Sequence, residues 1–380
     1  MPKRTNKTWV EISAGTLRAN AKALRMSIGP RVLLMGVVKS NAYGHDAKIV
    51  VSTLSADVDW FGVDSLKEAE NIREYGSKKP ILILGYTPKE DLKHVVRGGF
   101  SQVCYTRKAV KTLSLSATKR YPAKVHIKIE TGTSRQGLHV YDLPAFLRYI
   151  KGLPHVHIEG VSTHFANIED TKDNTYAMKQ LAHFNDAKSV FESLSAEPAI
   201  YHTACSAAAI LHPETHFGMV RAGIALYGLW PSQETMDAAN AGGRAVKLRP
   251  ALTWKTMIAQ VKPLKKGAPV SYGLTETVKR HSRVAVLPVG YFDGYDRHLS
   301  SSGEVLIRGK RAKVLGRVCM NMIIVDVTDI PSAKEDDEVV LIGKQGKETI
   351  SAEEIAERID TINYEVVTRI NPLLPRITVK

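Results

Sequence analysis

Five short segments carry side chains whose types could do chemistry. The first is Lys39-Ser40-Asn41-Ala42-Tyr43-Gly44-His45, directly after the apolar run 31–38. A lysine in that position stretches to water, pairs with an acid, or reacts, because desolvation lowers its pKa and frees the amine for Schiff-base chemistry. The second is Glu130-Thr131-Gly132-Thr133-Ser134-Arg135-Gln136-Gly137. Its glycines permit a tight turn that could aim Arg135 at a carboxylate, which the guanidinium fork binds bidentately; a plain surface turn is the alternative. The third is Thr163-His164-Phe165-Ala166, where a satisfied rim histidine is the commoner occurrence. In the fourth, Cys205-Ser206, the serine sits where a helix N-terminus would offer N–H groups to a phosphate, or would merely be capped by the serine. The fifth runs Arg221-Ala222-Gly223-Ile224-Ala225-Leu226-Tyr227-Gly228, and Gly223 would let backbone approach a phosphate closely.

The elements that must position these residues follow a repeating pattern. From about residue 13 to 235, short apolar, β-branched runs alternate with amphipathic helix-length stretches such as 66–75, closed by Gly76. Strand candidates end near Val38, Val63, Leu84, Cys104, Ile129, Thr163, Thr203 and Arg221. Eight β-then-α units point to a closed parallel barrel, whose active site lies at the carboxyl ends of the strands. The five segments follow strands one, five, six, seven and eight, so they share one end of the barrel. Together they describe a phosphate pocket, a reactive lysine and a carboxylate clamp.

Residues 231–249 read as a linker with little core. Beyond them the pattern changes to period-two strands, at 252–261, 283–287 and 322–327, interrupted by one helix at 351–358 with Ser351 and Glu354 spaced as a capping box. The expected fold class is α/β: an N-terminal (β/α)8 TIM-type barrel over 1–235, whose first dozen residues could pair with the second domain, then a mostly antiparallel β domain over 236–380.

Bulk properties narrow the function classes. The net charge is +15, yet lysines and arginines are dispersed among acids, without a zinc finger, an RNA-recognition signature or a basic tail. A solvated basic surface is therefore expected, with no nucleic-acid partner. Cys104, Cys205 and Cys319 are far apart and have no metal-ligand spacing, which fits reduced thiols in a cytoplasmic protein. The start MPKRTNKTWVEIS lacks the apolar stretch of a secretory signal, and the apolar runs are too short to cross a membrane.

With these residues in place, the segment 37–45 resembles the pyridoxal-lysine motif of alanine racemases. The similarity runs through nearly the whole chain, including the turn 130–137, Thr163–Ala166, 221–228, Val270-Ser271-Tyr272-Gly273, 288–294, Gly316-Arg317-Val318-Cys319-Met320 and 361–366. It implies an isomerase that uses pyridoxal 5'-phosphate to interconvert L- and D-alanine for peptidoglycan precursors, as a homodimer with shared sites. It implies that Lys39 carries the cofactor and is one of two catalytic bases, with Tyr272 of the partner subunit as the other. Arg221 would face the pyridine nitrogen, His164 would lie beside the ring, and Tyr43, Ser206, Gly223, Ile224 and Tyr364 would hold the phosphate. Arg135 and Met320 would bind the substrate carboxylate, with Tyr291 near the entrance. Lys128 matches a position that some relatives carry as a carbamylated lysine, an anion that orients Arg135.

The chain departs from the family's pattern in places. Glu130 stands where Asp is usual, Gln136 where a branched aliphatic is usual, Cys205 where many members have Asn, and Asn321 where many have Asp. The last change removes a negative charge near the carboxylate site and leaves preference among small amino acids open, serine included. A pyridoxal-phosphate decarboxylase of basic amino acids shares the architecture but relies on a C-terminal Cys-Asp loop, and the tail 371–380 contains no cysteine. A non-catalytic cofactor-binding barrel lacks a second domain, against which residues 250–380 argue.

Overall fold

The computed structural model describes residues 6–243 and 246–380. The chain gathers into two compact units. One comprises Leu17–Ala42 and Val50–Arg249, the other Met1–Thr16, Tyr43–Ile49 and Pro250–Lys380.

The first strand in the chain, Thr8–Ser13 (β1), belongs to the second unit. The first unit is one parallel sheet of eight strands: Leu33–Val37 (β2), Trp60–Val63 (β3), Ile81–Ile83 (β4), Ser101–Cys104 (β5), Ala123–Lys128 (β6), Val156–Ser162 (β7), Ile200–His202 (β8) and Met219–Ala222 (β9). They are laddered in the order β8-β7-β6-β5-β4-β3-β2-β9. Their short, nearly continuous apolar runs suit strands covered on both faces. Each ends within one residue of the position expected from the sequence. The seam between β8 and β9 has no ladder among the described residues. Two backbone bonds join them, Gly218 N to Tyr201 O at 3.0 Å and Arg221 N to Ala204 O at 3.1 Å.

The helices carry their own start signals. Leu66–Glu74 is capped by Ser65, whose hydroxyl accepts from Glu68 N, and Gly76 beyond it holds φ +88°. The stretch expected to be a linker with little core contains the helix Gln233–Ala241. Ser232 caps it, and Thr235 and Ala239 are its buried residues. Alanines favour a helix while giving almost no amphipathic contrast, so the pattern was too faint to read. Residues 244 and 245 of that stretch lie outside the described residues.

The second unit is mostly antiparallel. Its further strands are Leu252–Met257 (β10), Gln260–Leu264 (β11), Pro269–Val270 (β12), Glu276–Thr277 (β13), Ser282–Leu287 (β14), Glu304–Ile307 (β15), Lys310–Lys313 (β16), Ile323–Asp326 (β17), Glu338–Gln345 (β18), Glu348–Ile350 (β19) and Arg376–Val379 (β20). The largest sheet runs β16-β15-β18-β10-β1-β20, with β19 on β18. β1 pairs antiparallel with β10 and parallel with β20. The helix Ala352–Arg358 is capped by Ser351, which accepts from Glu354 N. The Glu354 carboxylate is committed to Arg311 and Arg358, which draws it away from the returning half of a capping box. Among the described residues, no helix is long and apolar enough to cross a membrane.

Candidate active site

Lys39 stands two residues beyond the end of β2, and the chain that follows it is unusual. Ser40, Asn41, Ala42 and Tyr43 all hold φ between 52° and 54°. A left-handed conformation strains a non-glycine residue by roughly 1–2 kcal/mol, so four in succession need outside restraint. Glu68 supplies part of it, accepting from Ser40 N at 2.6 Å and from Asp64 N at 2.7 Å. The Lys39 ammonium lies 3.8 Å from Asp64 Oδ1. Both groups are partly exposed, so this pairing is weak and leaves the amine easy to release.

Arg221, on β9, is 7% exposed. Its Nη1 donates to His202 Nδ1 and to His202 O, both at 2.9 Å. Its Nη2 donates to Thr203 O at 2.8 Å, Thr163 O at 2.9 Å and His164 Nδ1 at 3.2 Å. The guanidinium thus bridges the seam that the β8–β9 ladder leaves open. Among the described residues no carboxylate comes within ion-pair distance of it. Burial pulls its pKa down to about 10, which still leaves a cation at neutral pH.

Further positive charge gathers at this end of the barrel. Burial, then Arg221, Lys128, Arg135 and Lys39 in turn, hold His164 well below the ordinary imidazole range. Lys128, at the end of β6, is held well below the lysine range by burial first and then by Arg221 and Arg135, with Glu130 opposing. Arg221, Arg135 and Lys39, joined by Lys128 whenever it is protonated, therefore act on one imidazole, an arrangement that attracts anions.

The turn after β6 explains the unusual glutamate. Glu130 accepts from Gly132 N at 2.6 Å, from Arg135 N at 3.2 Å, and from the Thr133 hydroxyl. Burial pushes this carboxyl up, but the four backbone N–H donors of residues 132–135 outweigh it and hold the pKa below the usual range. Gly137, at φ +150°, is obligatory, since a Cβ there would sit 2.4 Å from Glu130 N. The extra methylene of glutamate is absorbed by a turn built around its carboxylate, with Arg135 exposed beyond it.

Ser206 opens the helix Ser206–Leu211 but does not cap it; Cys205 is the N-cap residue and makes no side-chain cap bond. The Ser206 hydroxyl instead accepts from Gly223 N at 3.0 Å and Ala225 N at 3.4 Å. It ties the loop after β8 to the turn after β9, where Ile224 starts the 3₁₀ turn Ile224–Tyr227. Neither the plain cap nor a bare helix end anticipates this cross-strand tie. Beside it, burial raises the Cys205 thiol to about 11, and the Glu169 carboxyl, also raised by burial, lies 3.9 Å from the sulfur.

The other candidates lie in the second unit. The Tyr43 and Tyr364 rings are 6.1 Å apart, and Gly44 between Tyr43 and His45 packs so close to Val367 O that a Cβ would fall 2.1 Å from it. Tyr272 is 71% exposed at the tip of a turn. Ser271 before it holds φ 64° and ψ −167°, a region nearly reserved for glycine. Its hydroxyl donates to Arg317 O at 2.6 Å and touches Cys319 Sγ at 3.4 Å. Tyr291 N and Phe292 N donate to Cys319 O and Met320 O, both at 3.0 Å. The loops bearing Tyr272, Tyr291 and Met320 are therefore one bonded cluster.

Sequence reasoning missed His202, His126 and Asp64. The available signal was a polar side chain inside an otherwise apolar strand: His126 shares one face of β6 with Lys128, and His202 ends β8.

Comparison with known proteins places this architecture. The profile "Alanine racemase, N-terminal domain" matches residues 12–231, and "Alanine racemase, C-terminal domain" matches 251–378. The chain is 42% identical to the alanine racemase of Symbiobacterium thermophilum, covering 97% of this chain and 96% of that one. It is 39% identical to the alanine racemase of a Leptospira interrogans strain, covering 99% and 97%. Among solved structures, the alanine racemase of Clostridium difficile 630 superposes with a TM-score of 0.93 at 32% identity, covering 99% and 97%. That of Bacillus anthracis with bound L-Ala-P gives 0.91 at 34%, covering 99% and 95%. The chain belongs to the alanine racemase family.

Proposed function

We propose that this chain interconverts L- and D-alanine with pyridoxal 5'-phosphate as cofactor, using Lys39 and Tyr272 as opposed bases. The observation that carries the proposal is the cationic barrel mouth. Arg221, Lys128, Arg135 and Lys39 all act on His164, and Arg221 has no acid partner among the described residues. Such a site suits a ligand that brings a phosphate and a substrate that brings a carboxylate. Lys39 would hold the cofactor covalently. Ser206, Gly223, Ile224, Tyr43 and Tyr364 would serve its phosphate, His164 its ring, and Arg221 its pyridine nitrogen. When bound, the cofactor supplies the sink for the electrons released at the substrate α-carbon.

The protein's own share is positional. A single base would return the α-proton to the face it left, so inversion needs a second base on the other face. Lys39 would hold a proton at Nζ and Tyr272 at its phenol oxygen, each taking one on its own face. Arg221 donates only, so it would satisfy a ring nitrogen without protonating it. Arg135 and Met320 would fix the substrate carboxylate, and Tyr291 would narrow the approach.

Tyr272 would come from a second copy of the chain in a homodimer. The second unit exposes Tyr272, Leu274, Tyr291, Phe292, Met320 and Met322 on its bonded loop cluster, and grouped exposed apolar side chains of this kind suit a protein–protein contact. A cytoplasmic location belongs to the same proposal.

Purified protein incubated with single L-amino acids, with the D-enantiomer measured by chiral chromatography, tests the activity. Alanine turnover far above serine and lysine is expected, and absence of D-alanine would refute it. Mixing Lys39→Ala with Tyr272→Phe protomers tests the shared site. Activity should partly return once subunits exchange, because one site of the mixed dimer keeps both bases; no recovery after proven exchange would refute sharing.

A further inference from the structure

Behind Arg221 a chain of polar side chains runs through the barrel interior. His202 Nε2 lies 2.9 Å from His126 Nδ1, and His126 Nε2 lies 3.3 Å from Glu159 Oε2. The Glu159 carboxylate also accepts a short hydrogen bond from the Ser101 hydroxyl. His126 and His202 are fully buried, while Glu159 retains 15% side-chain exposure. The chain thus begins at the carboxyl end of the strands and ends at Ser101, the first residue of β5.

Its hydrogen-bond direction is forced. A guanidinium has no acceptor, so His202 Nδ1 must accept from Arg221. A neutral His202 then carries its proton on Nε2 and donates it to His126 Nδ1. His126 in turn carries its proton on Nε2 and donates it to Glu159. Reversing either ring would set donor against donor at Arg221 or leave the buried carboxylate facing a lone pair. Burial, the leading cause for both rings, favours the neutral form that this requires.

The sheet is shaped to admit the His126 ring. The β6–β7 register shifts between Val125 and His126, a bulge of the kind that re-aims a side chain. Opposite it is Gly160, where a Cβ would stand 2.3 Å from His126 Nδ1. Trp60 closes the other side, its ring 5.6 Å away and edge-on. These features act together on one side chain that the two-base reaction does not use.

We propose that His202, His126 and Glu159 form a one-way relay that locks the orientation of Arg221 and supplies its counter-charge from two imidazoles away. They are positioning residues: the relay rests on the cofactor-facing role of Arg221, and none of its members would touch substrate. It lets a donor-only cation face the ligand without an adjacent acid that would neutralise the anion-attracting mouth.

Ring-¹⁵N histidine NMR on the cofactor-loaded protein, repeated without cofactor, reads the tautomers directly. Both His126 and His202 should be singly protonated on Nε2 from about pH 6 to about pH 9; a proton on Nδ1 of either ring, or a doubly protonated ring, would overturn the relay. Glu159→Gln keeps an acceptor for His126 but removes the charge. We expect kcat to fall about tenfold, the scale of a lost charge-assisted hydrogen bond, with KM for alanine within about twofold. Unchanged kcat would overturn the counter-charge. Gly160→Ala pushes on the His126 ring and should reproduce that kinetic split while altering the His126 and His202 signals; unaltered signals would overturn the proposed register. Whether cofactor addition shifts the Arg221 guanidinium resonance is a separate measurement, so failure of the cofactor role and failure of the relay are distinguishable.

Discussion

Arg221→Lys separates what the guanidinium does for the fold from what its charge does for a ligand. The native side chain feeds five acceptors: two imidazole nitrogens and the carbonyls of Thr163, His202 and Thr203. An ammonium has three donors on one compact tip, so at least two acceptors lose their partner. A buried acceptor left unpaired costs about 1–3 kcal/mol, giving a loss of about 2–6 kcal/mol. The burial penalty on the charge, read from a pKa lowered from 12.5 to about 10, amounts to about 3 kcal/mol. Lysine inherits this penalty and, being more strongly hydrated, gains nothing against it. Urea unfolding of the cofactor-free protein, followed by far-ultraviolet circular dichroism, should show a lower midpoint with an unchanged slope. The corresponding drop in Tm is roughly 10 °C. A loss below about 1 kcal/mol would refute the idea that the fork holds the β8–β9 seam together.

Acidification should destabilise the barrel through its buried imidazoles. His126, His164 and His202 all have folded pKa values below the unfolded one. Below about pH 6.5 the unfolded chain therefore binds protons that the folded chain refuses, and stability falls as pH drops, by up to about 1.4 kcal/mol per unit for each ring. A urea midpoint that rose between about pH 7.5 and about pH 5.5 would contradict this. Lys128, its ammonium disfavoured by burial and by Arg221 and Arg135, is suited to the neutral amine that a carbamate requires. Lys128→Ala should lower activity between about tenfold and about a hundredfold, with partial rescue by acetate; full activity would mean that Lys128 is only a barrel lysine. Ser271→Gly should relieve the strain at φ 64° yet free Tyr272 from the Arg317 and Cys319 anchors. Thermal unfolding should show equal or higher stability with kcat reduced several-fold, and an undiminished kcat would show that the anchor does not aim Tyr272.

What was legible in the sequence was what depends on neighbours along the chain. Strand ends could be read because a parallel barrel strand is a short apolar run stopped by its loop; Lys39, Arg135, His164 and Ser206 follow such ends, and Arg221 stands one residue short of the end of β9. What was hidden depends on neighbours across the sheet. Ser206 reads as a cap from its position before Ala207-Ala208-Ala209, but its acceptor role is set by Gly223 and Ala225 on another loop. Glu130 reads as a departure from the family's aspartate until the turn's donors are seen to converge on its carboxylate. His126 looks like an ordinary polar residue between Val125 and Ile127, because the bulge residue Glu159 and the missing Cβ of Gly160 that turn it inward both lie on the neighbouring strand β7. The left-handed run at Ser40–Tyr43 leaves little mark, since of its four residues only Asn41 is of a type enriched in that conformation.

The same guanidinium closes the barrel and offers charge to the ligand, and this double duty constrains how the site could have been built. An acid beside Arg221 would ease the burial of its charge, yet it would also weaken the positive field that Arg221, Arg135 and Lys39 exert at His164. Backbone carbonyls and neutral imidazoles satisfy the donors without carrying a full negative charge, so the positive potential survives while the hydrogen-bonding need is met. The imidazoles must then be kept neutral, and Glu159 at the far end can stabilise the cation only through them. Loss of activity in any Arg221 variant therefore cannot be assigned to chemistry until its unfolding free energy has been measured, because substitution opens the seam and weakens the field together.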